Sequence, residues 1–332
     1  MKNLIFGRAA IALLFVLMTL PGHSAEQAKK KLQIFILAGQ SNMVGHANPH
    51  TIATLYQSED ANDKRLLQMV FKHGNGITKD ALNEQLARAK KIDQLTGGIS
   101  NEKIKAMSEG PEKKALEARV KKLKEEYEAF KKKILSAYVV SDQVYIASIA
   151  DGNKGAGPLT IGYGGSRDKI GPELSFGLSM AQKIDAPILI IKTSWGGKSL
   201  NYNFRPPSAG PYTLNEKEKA AKNAADISKN ASLNWRMMNE AVHNVLKDLK
   251  KHHPKYDAKV GHEMAGFVWF QGFNDQFSDE FRNNYRDNMV HFVKDIRKEY
   301  KTPNMPFVIG VLGTNMTKEG VDKNAVSVAQ RK

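Results

Sequence analysis

The fold is decided by the stretch KLQIFILAGQSNMVGH, residues 31–46, in which an apolar run ends in a glycine and three polar residues. The run over residues 32–38 is apolar at nearly every position, which is typical of a strand buried on both faces of a parallel sheet. Ser41 follows two residues after Gly39. In this position it is either a nucleophile exposed at a strand-to-helix turn or the N-cap of the next helix.

Other segments of the chain repeat this pattern. Similar apolar runs predict three more buried strands, at residues 187–193, 265–271 and 306–312. Helical periodicity fills much of the space between them, at residues 173–184, 233–251 and 279–300. Alternating strands and helices indicate an α/β fold in which helices cover both faces of a parallel sheet, giving three layers, α/β/α. Ligands of such sheets bind beyond the carboxyl ends of the strands, so the loops after the strands should carry the chemistry.

Residues 57–137 interrupt this alternation with helical periodicity alone. One apolar stripe in this region comprises Leu82, Leu86, Ala89 and Ile92. A second stripe has heptad-like spacing and comprises Leu116, Val120, Leu123, Tyr127, Phe130 and Ile134. We therefore predict an inserted helical hairpin with a coiled-coil-like seam. It serves either as a scaffold or self-association arm or as a lid over the active site.

The N-terminal residues have the pattern of a signal peptide. Lys2 and Arg8 precede an apolar stretch at residues 9–20, which is shorter than the roughly 20 residues that a membrane span needs. We expect residues 1–25 to be removed on export to the periplasm or the medium, which leaves residues 26–332 without a stable membrane anchor. A retained anchor is the alternative.

Composition narrows the classes of function. The 332 residues include no cysteine, which excludes disulfides, thiolate metal sites and a cysteine nucleophile. Hydrophobic residues make up 41% of the chain, as in a globular domain with its own core. The net charge of +16 is spread over helices that also carry acidic residues, and no nucleic-acid-binding motif accompanies it. We therefore expect no nucleic-acid partner, whereas the oligomeric state is left open.

Three of the predicted strands end in loops of similar composition, with the sequences GQSN at 39–42, TSWGGKS at 193–199 and WFQGFND at 269–275. Each loop combines glycine with hydroxyl or amide side chains. A serine hydrolase needs an exposed hydroxyl, backbone N–H groups that face a developing oxyanion, and often a side-chain amide as a further donor. Together the three loops contain all of these groups.

The motifs GQSNM at 39–43, IGPELSFG at 170–177, KTSWGGKSL at 192–200 and VWFQGFND at 268–275 occur in this order. They resemble the conserved blocks of SGNH hydrolases, in the sialate O-acetylesterase-like (SASA) branch that is related to carbohydrate esterase family six. The resemblance implies a flavodoxin-like α/β/α fold and the hydrolysis of acetyl esters on carbohydrates. It also implies that neither a metal nor an organic cofactor takes part.

By position, the resemblance makes Ser41 the nucleophile and its backbone N–H one oxyanion donor. Gly197, or failing that Gly196, would supply a second backbone N–H. A side-chain amide would be the third donor, and both Gln271 and Asn274 are candidates for it.

Three further residues are candidate substrate contacts, namely Gln40, Asn42 and Arg205. Because an arginine can hold a carboxylate with two parallel hydrogen bonds, Arg205 suits an acidic sugar; the alternative is a structural salt bridge. Phe273 stands where this branch usually has a glutamate, which leaves its role open. The pair at 274–275 also suits a turn or a helix start.

A serine esterase also needs a base, usually a histidine, because a neutral hydroxyl is a poor nucleophile. No histidine follows His291, and His46 and His50 are close to Ser41 in sequence only. We therefore expect the chain to be C-terminally incomplete and to be weak or inactive as it stands, since loss of a triad member costs on the order of 10⁴ or more in turnover.

The leading hypothesis is an exported carbohydrate O-acetylesterase that acts on acetylated sugars through an acetyl-enzyme. One alternative is a catalytically inactive glycan-binding protein that keeps the pocket. Another is a structural or partner-binding protein organised by the helical hairpin.

Overall fold

The structure is a computed structural model that describes residues 29–72, 79–98, 100–151, 153–313 and 317–332. The predicted signal peptide, residues 1–25, lies outside the described residues. Within those ranges no helix combines the length and the apolar character needed to cross a membrane.

A six-stranded sheet forms the centre of the molecule. Its strands are β1 (Leu32–Gly39), β2 (Val144–Ala150), β3 (Asn153–Pro158), β4 (Ile188–Ser194), β5 (His262–Phe270) and β6 (Phe307–Ile309). Their order is β3-β2-β4-β1-β5-β6, and every neighbouring pair is parallel except β2 and β3. The four predicted buried strands thus lie side by side as β4-β1-β5-β6, which is the flavodoxin-like arrangement with β2 and β3 added beyond β4.

The buried strands follow from their side chains. In β1, Ile34 and Ile36 pack into the core on one face of the sheet, whereas Phe35 and Leu37 pack into the core on the other. Every residue of β4 is buried. Strand β6 is shorter than the predicted run over 306–312. Only its three residues pair with β5, and no other strand pairs with them in the described part of the chain.

Helices cover both faces of the sheet. They are α1 (Ser41–Val44), α2 (Ala61–Val70), α3 (Lys79–Thr96), α4 (Glu102–Lys105), α5 (Pro111–Leu135), α6 (Pro172–Ala181), α7 (Glu216–Lys219), α8 (Ala224–Asn230), α9 (Leu233–Leu246), α10 (Leu249–His252), α11 (Asp279–Glu299), α12 (Lys318–Lys323) and α13 (Ala325–Arg331). Helices α9 and α11 bury Trp235 and Phe292 on the face that carries Ile34. Helices α2 and α6 bury Leu67 and Leu174 on the opposite face. The fold is therefore the predicted α/β/α arrangement.

Helices α2 to α5 occupy the region of the predicted insertion. Helix α3 packs against α5, where the Arg88 guanidinium lies 5.1 Å from the centre of the Phe130 ring. Only Val120 and Ile134 of the apolar seam on α5 are buried, so the seam is less continuous than its spacing suggested. The predicted helix over 233–251 is divided into α9 and α10, because the Asp248 side chain caps a new helix start.

Candidate active site

The carboxyl ends of β4, β1 and β5 meet at one edge of the sheet. Gly39, the last residue of β1, is aligned with Ser194 of β4 and with Phe270 of β5. After β1 the chain forms β2, β3 and β4 on one side of this strand and later β5 on the other, so its winding reverses at β1. Such a switch point opens the crevice in which α/β proteins bind ligands. Gly39 allows the close approach of β5, since a Cβ atom here would lie 2.2 Å from the Phe270 carbonyl oxygen.

Ser41 is the first residue of α1 and is partly exposed at this edge. The N-cap is Gln40 instead, and no side chain caps the helix. The hydroxyl of Ser41 has no hydrogen-bond partner among the described residues. Its backbone N–H, in the first turn, has no acceptor within the helix and none elsewhere in the described ranges. Both groups are therefore available to a ligand.

Gln40 is completely buried and does not contact the crevice as the sequence predicted. Its Oε1 accepts hydrogen bonds from the backbone N–H groups of Gly272, at 3.2 Å, and of Asn274, at 3.4 Å. Gln40 thus fastens the loop after β5 directly beside Ser41. The Asn42 side chain is exposed next to Ser41, and its contact with a substrate stays a prediction.

The loop after β4 supplies the candidate backbone donors. The N–H of Gly196 donates to Asp151 Oδ2 at 2.8 Å. Gly197, with a φ of 67°, has a left-handed backbone that favours glycine, and its N–H has no acceptor in the described part of the chain. Gly197 rather than Gly196 is consequently free to bind an oxyanion.

The structure also separates the two candidate amides of the loop after β5. Both amide hydrogens of Gln271 are used, because its Nε2 donates to the Lys198 carbonyl oxygen at 2.9 Å and to Asp275 Oδ2 at 2.5 Å. The Asn274 side chain is partly exposed, and among the described residues it has no hydrogen-bond partner. Asn274, not Gln271, is therefore the amide that remains free to donate.

Sequence reasoning gave Asp275 only a role in a turn, yet its buried carboxylate joins two of the loops. It accepts hydrogen bonds from the backbone N–H groups of Leu200, at 3.0 and 2.9 Å, and of Asn201, at 3.0 Å, as well as from Gln271. The loop that contains Gly197 is thereby held against the loop that contains Asn274. Burial raises the pKa of Asp275 to about 6, against the opposing effect of these donors.

We expect Asp275→Asn to change how stability depends on pH. The native pKa lies above the unfolded value of 3.8, so the native state binds more protons than the unfolded state between these values. The contribution of Asp275 is present below about pH 4 and is lost as the pH rises through about 6. Two pKa units correspond to about 3 kcal/mol. Urea unfolding across this window should show a shallower loss of stability with rising pH in the variant than in the wild type.

Asp142 provides the matched control, because its side chain is 91% exposed. Asp142→Asn should follow the wild-type curve. A wild-type pH dependence in Asp275→Asn would mean that Asp275 does not titrate in this window.

Arg205 is not free for a substrate. Its Nε donates to the Gly210 carbonyl oxygen at 2.8 Å, its Nη2 to the Ala209 carbonyl oxygen at 2.7 Å, and its Nη1 to both oxygens of Asn201 at 3.2 Å. These acceptors are carbonyl oxygens, so the contacts are neither a substrate contact nor the structural salt bridge that was the alternative. The sequence shows that Arg205 can donate hydrogen bonds, but it does not show which atoms accept them.

A second feature that the sequence reasoning missed is a buried ion pair beneath α1. Lys192 of β4 and Glu173 of α6 are fully buried, and their Nζ and Oε2 atoms lie 2.6 Å apart. Lys192 also donates to the carbonyl oxygens of Val44, at 2.8 Å, and Tyr163, at 2.7 Å. Because Val44 is the last residue of α1, the pair holds the short helix that begins at Ser41.

No described histidine makes a hydrogen bond to Ser41. The ring of His46 lies against Gly165, and His50 is bonded to the Tyr127 hydroxyl at 2.8 Å. Nor do the described residues contain a cluster of three or more side chains suited to a metal ion. The crevice thus offers a hydroxyl and hydrogen-bond donors.

Among solved structures, a protein from Arabidopsis thaliana resembles this chain with a TM-score of 0.42 and 15% identity, over 90% of this chain and 80% of that one. A carbohydrate acetylesterase from Xanthomonas citri gives a TM-score of 0.39 and 12% identity, over 90% of this chain but only 47% of its own length. No curated protein matches the sequence.

A family profile described as "carbohydrate esterase, sialic acid-specific acetylesterase" matches residues 153–332. This range includes the loops after β4 and β5, whereas Ser41 precedes it. Membership of such a family indicates a hydrolase with a carbohydrate acetylesterase-like function and an acetylated carbohydrate as substrate. The chain belongs to the SASA family of carbohydrate esterases.

Proposed function

We propose that this chain acts on acetyl esters of carbohydrates with Ser41 as the nucleophile. The observation that supports the proposal is that three loops which begin at aligned strand ends carry four groups without a hydrogen-bond partner among the described residues. These are the hydroxyl and the N–H of Ser41, the N–H of Gly197 and the side-chain amide of Asn274. Gln40 and Asp275 hold their loops in place, so the donors are organised before a substrate binds, as electrostatic stabilisation of an oxyanion requires.

The reaction would proceed in two displacements. Ser41 Oγ attacks the acetyl carbonyl carbon and transfers its proton to a base from the solvent, and the three donors stabilise the negative charge that develops on the carbonyl oxygen. The bond to the sugar oxygen then breaks, and the sugar leaves as an alcohol after taking up a proton. Water attacks the acetyl-serine, so that acetate and free Ser41 are formed.

The substrate class follows from the family and from the crevice. Sialic acids are one candidate, and neutral acetylated glycans are another. Since Gln40 is buried and Arg205 donates to carbonyl oxygens of the protein, Asn42 is the remaining proposed substrate contact from the sequence prediction. An exported location, predicted from residues 1–25, would bring the protein to such glycans and stays a prediction.

A catalytically inactive glycan-binding protein is the second candidate. The observation that favours it is the lack of any hydrogen bond between Ser41 and a described histidine. Without an oriented base the hydroxyl is a weak nucleophile, although the crevice could still hold a sugar.

Covalent labelling tests the first candidate against the second. We expect a fluorophosphonate to add to the chain slowly and only at Ser41, as seen by peptide mass mapping, and an acetylated glycan to slow the addition. Ser228, which is exposed on α8, is the internal control and should stay unlabelled. Glycan binding without any modification of Ser41 would favour the glycan-binding protein.

A further inference from the structure

Two phenylalanines form an exposed pair beside the candidate site. Phe273 and Phe277 begin and end the short 3₁₀ helix that follows β5. Their side chains are 47% and 68% exposed, and their ring centres lie 5.0 Å apart at an angle of 78°. They are the only aromatic residues among the exposed large hydrophobic residues in the described part of the chain. We call this pair the aromatic platform.

The platform stands on a firmly held loop. Phe273 lies between Gly272 and Asn274, whose backbone N–H groups both donate to buried Gln40. Asp275, between the two phenylalanines, is buried and bonded to the loop after β4. The exposure of the two rings is thus a property of an anchored turn. Holding aromatic rings in water has an unfavourable free energy that contact with a ligand would relieve.

The position of the rings indicates what they contact. Phe273 is next to Asn274, the proposed oxyanion donor, in the loop that Gln40 holds beside Ser41, so the platform belongs to a loop that would border a bound substrate. A phenylalanine ring offers an apolar face and no hydrogen-bonding group. The part of a carbohydrate that matches such a surface is the C–H face of a pyranose ring.

We propose that the aromatic platform binds the pyranose ring that carries the acetyl ester. This inference rests on the proposed function, because the sugar is placed by the acetyl group at Ser41. The platform selects for rings that present an unsubstituted C–H face, and it contributes affinity without taking part in the chemical step.

Binding should be measured on the full chain with Ser41→Ala, so that no turnover is needed. The probes are acetylated xylo-oligosaccharides and an O-acetylated sialic acid, titrated by calorimetry. For the probe that binds, we expect Phe273→Ala and Phe277→Ala each to weaken the affinity by about tenfold. Phe273→Tyr, which keeps the ring face, should retain the affinity. Val290→Ala on α11, where Val290 is 46% exposed, is the control for loss of an exposed apolar side chain.

Several outcomes would overturn the proposal. One is unchanged affinity in both alanine variants; another is the absence of binding of either probe by the parent protein. A third is a dimer, seen by sedimentation, that dissociates in Phe277→Ala while sugar affinity stays the same, which would make the platform a contact between copies of the chain. If Ser41 proves unreactive while the alanine variants lose affinity, the platform stands and the nucleophile assignment falls.

Discussion

Acetate release by this chain should be slow, on the order of 10⁴-fold or more below that of a serine esterase with a complete triad, and Ser41→Ala should remove the part of it that proceeds through the Ser41 hydroxyl. The reason lies in the geometry of the crevice. The N–H groups of Ser41 and Gly197 are unpaired among the described residues, but no described histidine makes a hydrogen bond to the Ser41 hydroxyl. A coupled acetate assay with acetylated oligosaccharides measures both rates.

Adding imidazole to the buffer tests this explanation. Imidazole can act as an external base for the Ser41 hydroxyl, which has no hydrogen-bonded base among the described residues. It should accelerate acetate release by the wild type and by Ser228→Ala. In Ser41→Ala, once the uncatalysed reaction is subtracted, the rates with and without imidazole should be equal. Fast release by the wild type without imidazole, lost in Ser41→Ala, would show that a base is already in place.

The strands could be predicted because a strand buried on both faces is apolar along its own sequence, whichever segments pack against it. Near-continuous apolar character at 32–38 and 187–193 reflects burial on two faces of a parallel sheet, and the structure places both runs in its centre as β1 and β4. The location of the site at their carboxyl ends followed from the same argument. Strand β6 was overestimated, because apolar residues beyond Ile309 do not reveal where pairing ends.

The hydrogen-bond assignments in the loops could not be predicted, because they depend on contacts between distant segments. Gln271 and Asn274 have the same kind of side chain, and only the fold shows that Lys198 and Asp275 occupy the donors of one of them. Arg205 is similar, since its acceptors are backbone oxygens of a turn. In such loops the sequence defines hydrogen-bonding capacity but not the partner.

The ion pair beneath α1 did leave a trace in the sequence. Lys192 is the one charged residue of β4, and a lysine is almost never fully buried unless it is paired. A carboxylate was therefore to be expected nearby. Glu173 is that carboxylate, and its other oxygen accepts a hydrogen bond from the Gly171 N–H at the start of α6, at 2.9 Å. One side chain thus performs both tasks.

Lys192→Met should lower the free energy of unfolding by about 3–5 kcal/mol, because it leaves the Glu173 carboxylate buried without its partner. The carbonyl oxygens of Val44 and Tyr163 would lose their donor as well. Urea unfolding at neutral pH measures the change. As a matched control, Lys219→Met removes an ion pair whose side chains are 53% and 91% exposed, and it should cost less than about 1 kcal/mol.

The double variant Lys192→Met with Glu173→Met distinguishes the unpaired charge from the lost hydrogen bonds. Replacing both partners removes the buried charge, so part of the stability lost in the single variant should return. The recovery should be incomplete, since the Val44 carbonyl oxygen and the Gly171 N–H remain without their side-chain partners. A double variant that is less stable than Lys192→Met would contradict this account, because the stabilisation would then not depend on pairing the charges. Partial recovery would show that α1, which begins at Ser41, is stabilised by the ion pair of Lys192 and Glu173. Replacing one member of this pair would then cost more stability than replacing both.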